Sequence, residues 1–175
     1  MSLDNPQRLE DLLNYRLSRL LALSSAPGIR LFEGGYGVSR REWSLVGLIA
    51  ENGKMSPSKL AQIAHLDRAH VSKAITELVT KGLLVRETAP NDARRAQVDL
   101  TEKGLQLYKE IFPQIAALTQ SVVSVLSTDQ LQMFDAALVA LTDSAESLVR
   151  SVPVKVKAAR HLGESRRVKR QITLT

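Results

Sequence analysis

The chain has no cysteine in its 175 residues. That excludes disulfides, thiol nucleophiles and thiol redox sensing together. Histidine is nearly as scarce. His65 and His70 stand five apart and His161 lies far beyond, so no pair has the i,i+4 register of a helical metal site. Aromatic residues make up only 4%, so a core must be built mainly from Leu, Val, Ile and Ala. No run of eighteen apolar residues exists, which argues against a membrane-spanning helix. The opening MSLDNPQRLEDLL lacks a basic region followed by an apolar stretch. No signal peptide is expected, and the expected location is cytoplasmic. No nucleophile–base pair, phosphate loop or metal cluster stands out, so the chain reads as a non-enzyme with no cofactor.

What is present is patterned charge. The net charge is +6, and all of it resides in residues 154–175, where seven basic residues face Glu164 alone. Residues 39–104 are mildly basic, with 11 Lys and Arg against 8 Asp and Glu. Residues 105–153 are acidic, with 2 against 5. A basic centre and a basic tail are what a nucleic-acid binder needs, although a basic tail is also a common solvated end.

Hydrophobic spacing places the elements. Leu9, Leu12, Leu13, Leu17, Leu20 and Leu21 predict an amphipathic helix over 7–25, capped by Asp4 or Asn5 and ended by Pro27-Gly28. The glycine-rich stretch 28–38 reads as a flexible loop. Ser39 and Glu42 form a capping box for a helix to Glu51, with Trp43, Val46, Ile49 and Ala50 inward. Gly47 in its middle allows close packing or is a tolerated weak point. Ser56 caps a short helix with Pro57 first, and Asp67 caps another that runs to Lys81 and stops at Gly82. Its inward face is Val71, Ala74, Ile75, Leu78 and Val79. Leu83–Glu87 and Ala96–Leu100 predict a hairpin. Thr101 caps a long helix that Pro113 interrupts and kinks, and Ser127 with Gln130 boxes the last helix.

This order is mainly α with a small two- to three-stranded β-wing, a winged helix-turn-helix flanked by helical arms. The divisions are 1–38, an N-terminal dimerisation helix and loop; 39–104, the DNA-binding domain; 105–152, C-terminal dimerisation helices; and 153–175, the basic tail. Arg68, His70, Ser72, Lys73 and Thr76 face outward on the Asp67 helix, where a major-groove helix presents side chains to base edges. Arg94 and Arg95 sit at the hairpin tip, suited to a narrow minor groove, with Asp92 placed to brace an arginine. Ser56, Ser58 and Lys59 are phosphate candidates at a helix start, Ser56 reading first as a cap.

Asp92-x-Arg94-Arg95 followed by Val98-x-Leu100-Thr101-x-x-Gly104 resembles the wing of the MarR family of bacterial transcription regulators. Leu66 through Val71-Ser72-Lys73 to Leu78 and Gly82-Leu83-Leu84 is similar to that family's recognition helix and its exit. The resemblance extends over roughly residues 7–150. It implies a homodimer on a palindromic double-stranded operator, its two heads about 34 Å apart. The leucine faces at 9–21 and 105–148 exceed what one wing domain covers, in keeping with that implication. The resemblance also implies a repressor released by a small aromatic or phenolic acid, with activator and ligand-independent regulator as the alternatives. Effector candidates are Tyr15, Arg16, Arg19, Tyr36, Arg40 and Trp43. Trp43 reads first as core, and Arg16 and Arg19 also suit solvated or intersubunit ion pairs. A non-specific architectural protein using its tail is the rival from another class.

Overall fold

The computed structural model describes residues 3–89 and 92–151, without the side chains of 88–89 and 92–95. Six α-helices and one hairpin are defined among them. They are α1 (Leu13–Arg30), α2 (Arg40–Asn52), α3 (Pro57–Ile63), α4 (Arg68–Thr80), β1 (Leu84–Ala89), β2 (Asp92–Leu100), α5 (Glu102–Val123) and α6 (Thr128–Ser151). Helices dominate, and the sheet has two antiparallel strands, as the sequence predicts.

The core lies under the winged helix. Leu45, Val46, Ile49, Leu60, Val71, Ile75, Leu78 and Val98 are almost completely buried, and Ile111 of α5 joins them. Leu84 pairs with Leu100 and Arg86 with Val98, with an irregularity between Glu87 and Ala89. The third strand shrinks to one bridge, in which Met55 N donates to Val98 O at 3.1 Å and Val98 N to Met55 O at 2.8 Å.

The start of the chain departs from expectation. A 3-10 turn at Leu9–Asp11 precedes α1. Asp11, rather than Asp4 or Asn5, accepts from the Gln7 and Arg8 amides, both at 3.2 Å. The expected loop at 28–38 is largely helical: α1 runs through Pro27-Gly28, and a π-helical turn continues over Leu31–Gly35. Packing overrides the breakers here. Gly28 is buried, and a Cβ there would lie 3.3 Å from Ile115 of α5, while Phe32 is 3% exposed in the core. Losing one backbone bond at proline costs less than exposing that contact.

Other departures are smaller. Val79 is exposed, because only Val71, Ala74, Ile75 and Leu78 fall on the inward stripe of α4. Leu45, unassigned by the sequence pattern, is as fully buried in α2 as the predicted Val46. Helix α5 continues unbroken through Pro113. Gly47 is buried, yet an added Cβ would meet Tyr108 at an ordinary 3.5 Å, so the glycine is not a steric necessity. Helix α6 turns away from α5 by 109° and buries no residue. No single described helix is long and apolar enough to cross a membrane.

Candidate nucleic-acid interface

Local chemistry builds the reading head. The Ser56 hydroxyl accepts from the Lys59 amide at 3.2 Å and starts α3, with Pro57 at its first position. Its oxygen lone pairs are therefore partly spent on capping; Ser58 and Lys59 beside it are exposed. The turn into α4 passes through His65 at φ 51, and Leu66 N reaches back to Ala61 O at 3.0 Å. A non-glycine residue in left-handed backbone costs about 1–2 kcal/mol, so the turn is held by its surroundings.

Asp67 caps α4. Its carboxylate accepts from the His70 amide at 3.0 Å and engages His70 Nδ1. The His70 backbone bond, followed by the side-chain bond, holds this carboxyl below the usual range. With Nδ1–H given to Asp67, His70 Nε2 accepts when neutral and donates when protonated. The buried stripe of α4 fixes the opposite face outward, and Arg68, His70, Ser72, Lys73 and Thr76 are all exposed there. The structure thus brings the five predicted residues onto one face. The Thr76 hydroxyl is committed to Ser72 O at 3.0 Å, while the Lys73 ammonium is only loosely paired with Glu77 at 3.8 Å. Among these five, Arg68 and Lys73 carry the charge.

The predicted wing-tip residues Asp92, Arg94 and Arg95 have side chains outside the described part; their backbone belongs to β2. Two basic residues escaped the sequence reading. Arg86 is exposed on β1, and Lys54 pairs with Glu87 across the hairpin's foot. Strand alternation gave no signal for Arg86, since it places this residue on the side of buried Leu84 and opposite buried Val98.

The base of the wing is joined tightly to α5. The Thr101 hydroxyl donates to Gly82 O at 2.7 Å and accepts from the Gly104 amide at 3.0 Å, while Thr101 N donates to Leu83 O at 3.1 Å. On the other side, Glu42 is 4% exposed and binds the Lys81 ammonium at 2.7 and 2.9 Å. The same carboxylate accepts from the Ser39 amide at 2.7 Å, and Lys81 also donates to Gly37 O at 2.9 Å. Burial pushes the Glu42 carboxyl up, but the Lys81 and Ser39 bonds outweigh it and hold the group below its ordinary value of 4.5. A carboxyl lowered by folding adds stability above its unfolded value, lost as pH falls through the folded value. Lys81→Met leaves a buried charge without its partner. Because Lys81 is partly solvated, the expected loss is about 1–2 kcal/mol at neutral pH. The acid transition of the variant, followed by circular dichroism, should begin at higher pH than in the parent.

The effector candidates divide. Trp43 is stacked between Phe32 at 5.1 Å and Tyr108 at 6.5 Å, and Tyr108 meets Phe112 at 5.4 Å. Trp43 Nε1 is buried without an acceptor among the described residues. Tyr108 donates to Glu51 at 2.9 Å, and burial, followed by that bond, pushes its hydroxyl up. Tyr15 and Arg19 are exposed on α1, and Arg16 donates to Glu10 O at 3.1 Å. Arg40 opens α2 and is half-buried. Tyr36 accepts from Gln114 at 2.8 Å and lines a cleft that none of the other five candidates lines. Phe32, Tyr108 and Phe112 were missed because Phe32 joins the two aromatics of α5 only through tertiary packing with Trp43, which no local pattern shows.

Residues 36–95 match the family model described as the MarR family. The chain is 29% identical over 111 residues to the HTH-type transcriptional regulator FarR of Neisseria gonorrhoeae, covering 63% of this chain and 76% of that protein. It is 25% identical over 97 residues to the homoprotocatechuate degradative operon repressor of Escherichia coli, covering 55% and 66%. The crystal structure of NadR in complex with 4-hydroxyphenylacetate superposes with a TM-score of 0.63 at 26% identity, covering 78% of this chain and 96% of NadR.

Proposed function

We propose that the chain is a MarR-type winged-helix transcription regulator, a homodimeric repressor released from a palindromic operator by a small aromatic or phenolic acid; the family match over residues 36–95 and the similarity to FarR support this reading. The observation that carries DNA reading is the α4 face, aimed outward by the Asp67 cap and by the buried stripe behind it. Arg68, His70, Ser72, Lys73 and Thr76 read the major groove; Asp92, Arg94 and Arg95 serve the minor groove; and Ser56, Ser58 and Lys59 hold phosphates. Arg68→Ala and Lys73→Ala should each weaken operator binding by about 1–3 kcal/mol where they reach bases. A contact to phosphate would show instead as a salt slope smaller by about one. Anisotropy titrations at several salt concentrations separate the two.

Dimerisation is proposed for residues 1–38 and 105–152, flanking the reading domain at 39–104. Its support is the unburied apolar face of α1 and α6, including Leu20, Leu21, Phe134, Leu141 and Leu148. Faces of this extent rarely stay in water.

For the effector, the aromatic ladder at Trp43 and its unsatisfied indole N–H suit a flat acid, with stacking for the ring and a donor for an oxygen. The relatives named after homoprotocatechuate and complexed with 4-hydroxyphenylacetate support that class. Tyr15, Arg16, Arg19, Tyr36 and Arg40 remain the proposed surrounding groups. Release is a population shift: the acid favours a separation of the two α4 helices that no longer matches successive major grooves. Operator titrations with and without 4-hydroxyphenylacetate and hydroxybenzoates test this. Release by one of them is expected; equal affinity under all of them would sink the switch.

A further inference from the structure

One side chain on the outward face of α4 is held in a state that its neighbours do not share. Arg68 and Lys73 can only donate hydrogen bonds. The Thr76 hydroxyl gives its proton to Ser72 O. His70 differs because Asp67 engages it twice. Asp67 Oδ1 accepts from the His70 amide at 3.0 Å and forms the helix cap. Asp67 Oδ2 meets His70 Nδ1. The backbone bond, followed by the side-chain bond, holds this carboxyl below its usual range, so at neutral pH it is ionised and only accepts. Nδ1 must therefore carry the proton. In a neutral imidazole so held, Nε2 has none and is an acceptor. The His70 side chain is 61% exposed, and Nε2 has no partner among the described residues. It stands in the first turn of α4, where a groove-bound helix meets base edges.

We propose that Asp67 sets the base preference of α4 by locking His70 as an acceptor at Nε2, which reads an exocyclic amino group, adenine N6 or cytosine N4. The inference rests on the DNA-reading role given to α4 above. Asp67 acts through His70 and is a positioning residue. The effect is on specificity. Arg68 and Lys73 suit guanine O6 and N7, whereas His70 rejects a keto base at its own position. Guanine O6 or thymine O4 would set one lone pair against another there, a repulsive element beside the attractive ones.

Asp67→Asn separates this role from capping. Asparagine caps a helix about as well as aspartate. With its oxygen on the His70 amide, its NH2 group faces Nδ1 and donates. Nδ1 must then accept, and the proton moves to Nε2.

Two measurements on the full-length protein test this. Nitrogen-15 shifts of the His70 ring at pH 8, without DNA, distinguish the two tautomers from the imidazolium. Protonated Nδ1 is expected in the parent and protonated Nε2 in Asp67→Asn. For binding, the probe is a duplex that the parent selects from a randomised pool. His70→Ala marks the base pair that His70 reads, by losing discrimination there alone. At that pair the parent should favour the amino base about fivefold over the keto base, and Asp67→Asn should reverse the preference. Removing the Asp67 charge strengthens binding to every sequence alike, so it moves no preference. Imidazolium or protonated Nε2 in the parent, or a preference that Asp67→Asn does not reverse, would overturn the proposal while the regulator reading stands. A parent that selects no duplex would overturn the DNA-reading role itself, and this inference with it.

Discussion

Replacing Phe134 and Leu141 together by glutamate should convert the protein to a monomer and weaken operator binding by a factor of 100 or more, roughly 2.7 kcal/mol or above. The argument begins in water. Helix α6 has 24 residues and buries none of them, and Phe134 and Leu141 are 39% and 43% exposed on its apolar stripe. Each buried side chain of this size is worth about 1.5–3 kcal/mol, so a second copy that covers the stripe gains several such terms. Two carboxylates placed there would have to be desolvated against their symmetry mates, which no apolar surface compensates. The reading head should survive, because its core at Leu45, Leu60, Ile75 and Val98 contains nothing from α6. The avidity of two heads on one operator would be lost. Sedimentation and anisotropy measure the two effects. A variant that stays dimeric, or a monomer that binds as tightly as the parent, would refute the assignment of this face.

Gly104→Ala should destabilise the fold by about 3 kcal/mol, the opposite of what helix propensity predicts. Gly104 lies in the first turn of α5, where exchanging glycine for alanine ordinarily gains up to about 1 kcal/mol. Here an added Cβ would stand 2.1 Å from the Leu83 carbonyl oxygen and 3.1 Å from Leu100. Contact at 2.1 Å is deep inside van der Waals range, and the Leu83 carbonyl is backbone, so no rotamer relieves it; only the Leu100 contact is with a side chain. Leu83 O also accepts from Thr101 N, so pushing it away strips the entry of α5 of its anchor. The wing and α5 would separate at the point where reading head meets arm. Chemical unfolding at fixed protein concentration checks this, and equal or greater stability in the variant would show that the contact yields freely.

Much of the fold was legible because it is specified locally. The Ser39–Glu42 and Ser127–Gln130 boxes, the Ser56, Asp67 and Thr101 caps and the Gly82 stop all form where spacing places them. Each depends on side chains within about four residues of the backbone they satisfy. The outward face of α4 was legible for the same reason, since a helical period needs no distant partner. Chain breakers misled at Pro27-Gly28 and at Pro113. At Pro27-Gly28 burial against α5 exceeds the local penalty, and a sequence does not display which distant side chain will supply that burial.

By itself, then, the sequence determined the order of elements, the capping chemistry and the outward face of α4, all properties of neighbouring residues. Only the tertiary structure decided that α1 continues into Phe32, that Glu42 meets Lys81 across the head, and that Phe32, Trp43, Tyr108 and Phe112 form one ladder. It also put Lys103 at the mouth of a cleft. Glu42 and Lys81 are thirty-nine residues apart, and contacts at such separations follow from how whole helices pack, which no local pattern records.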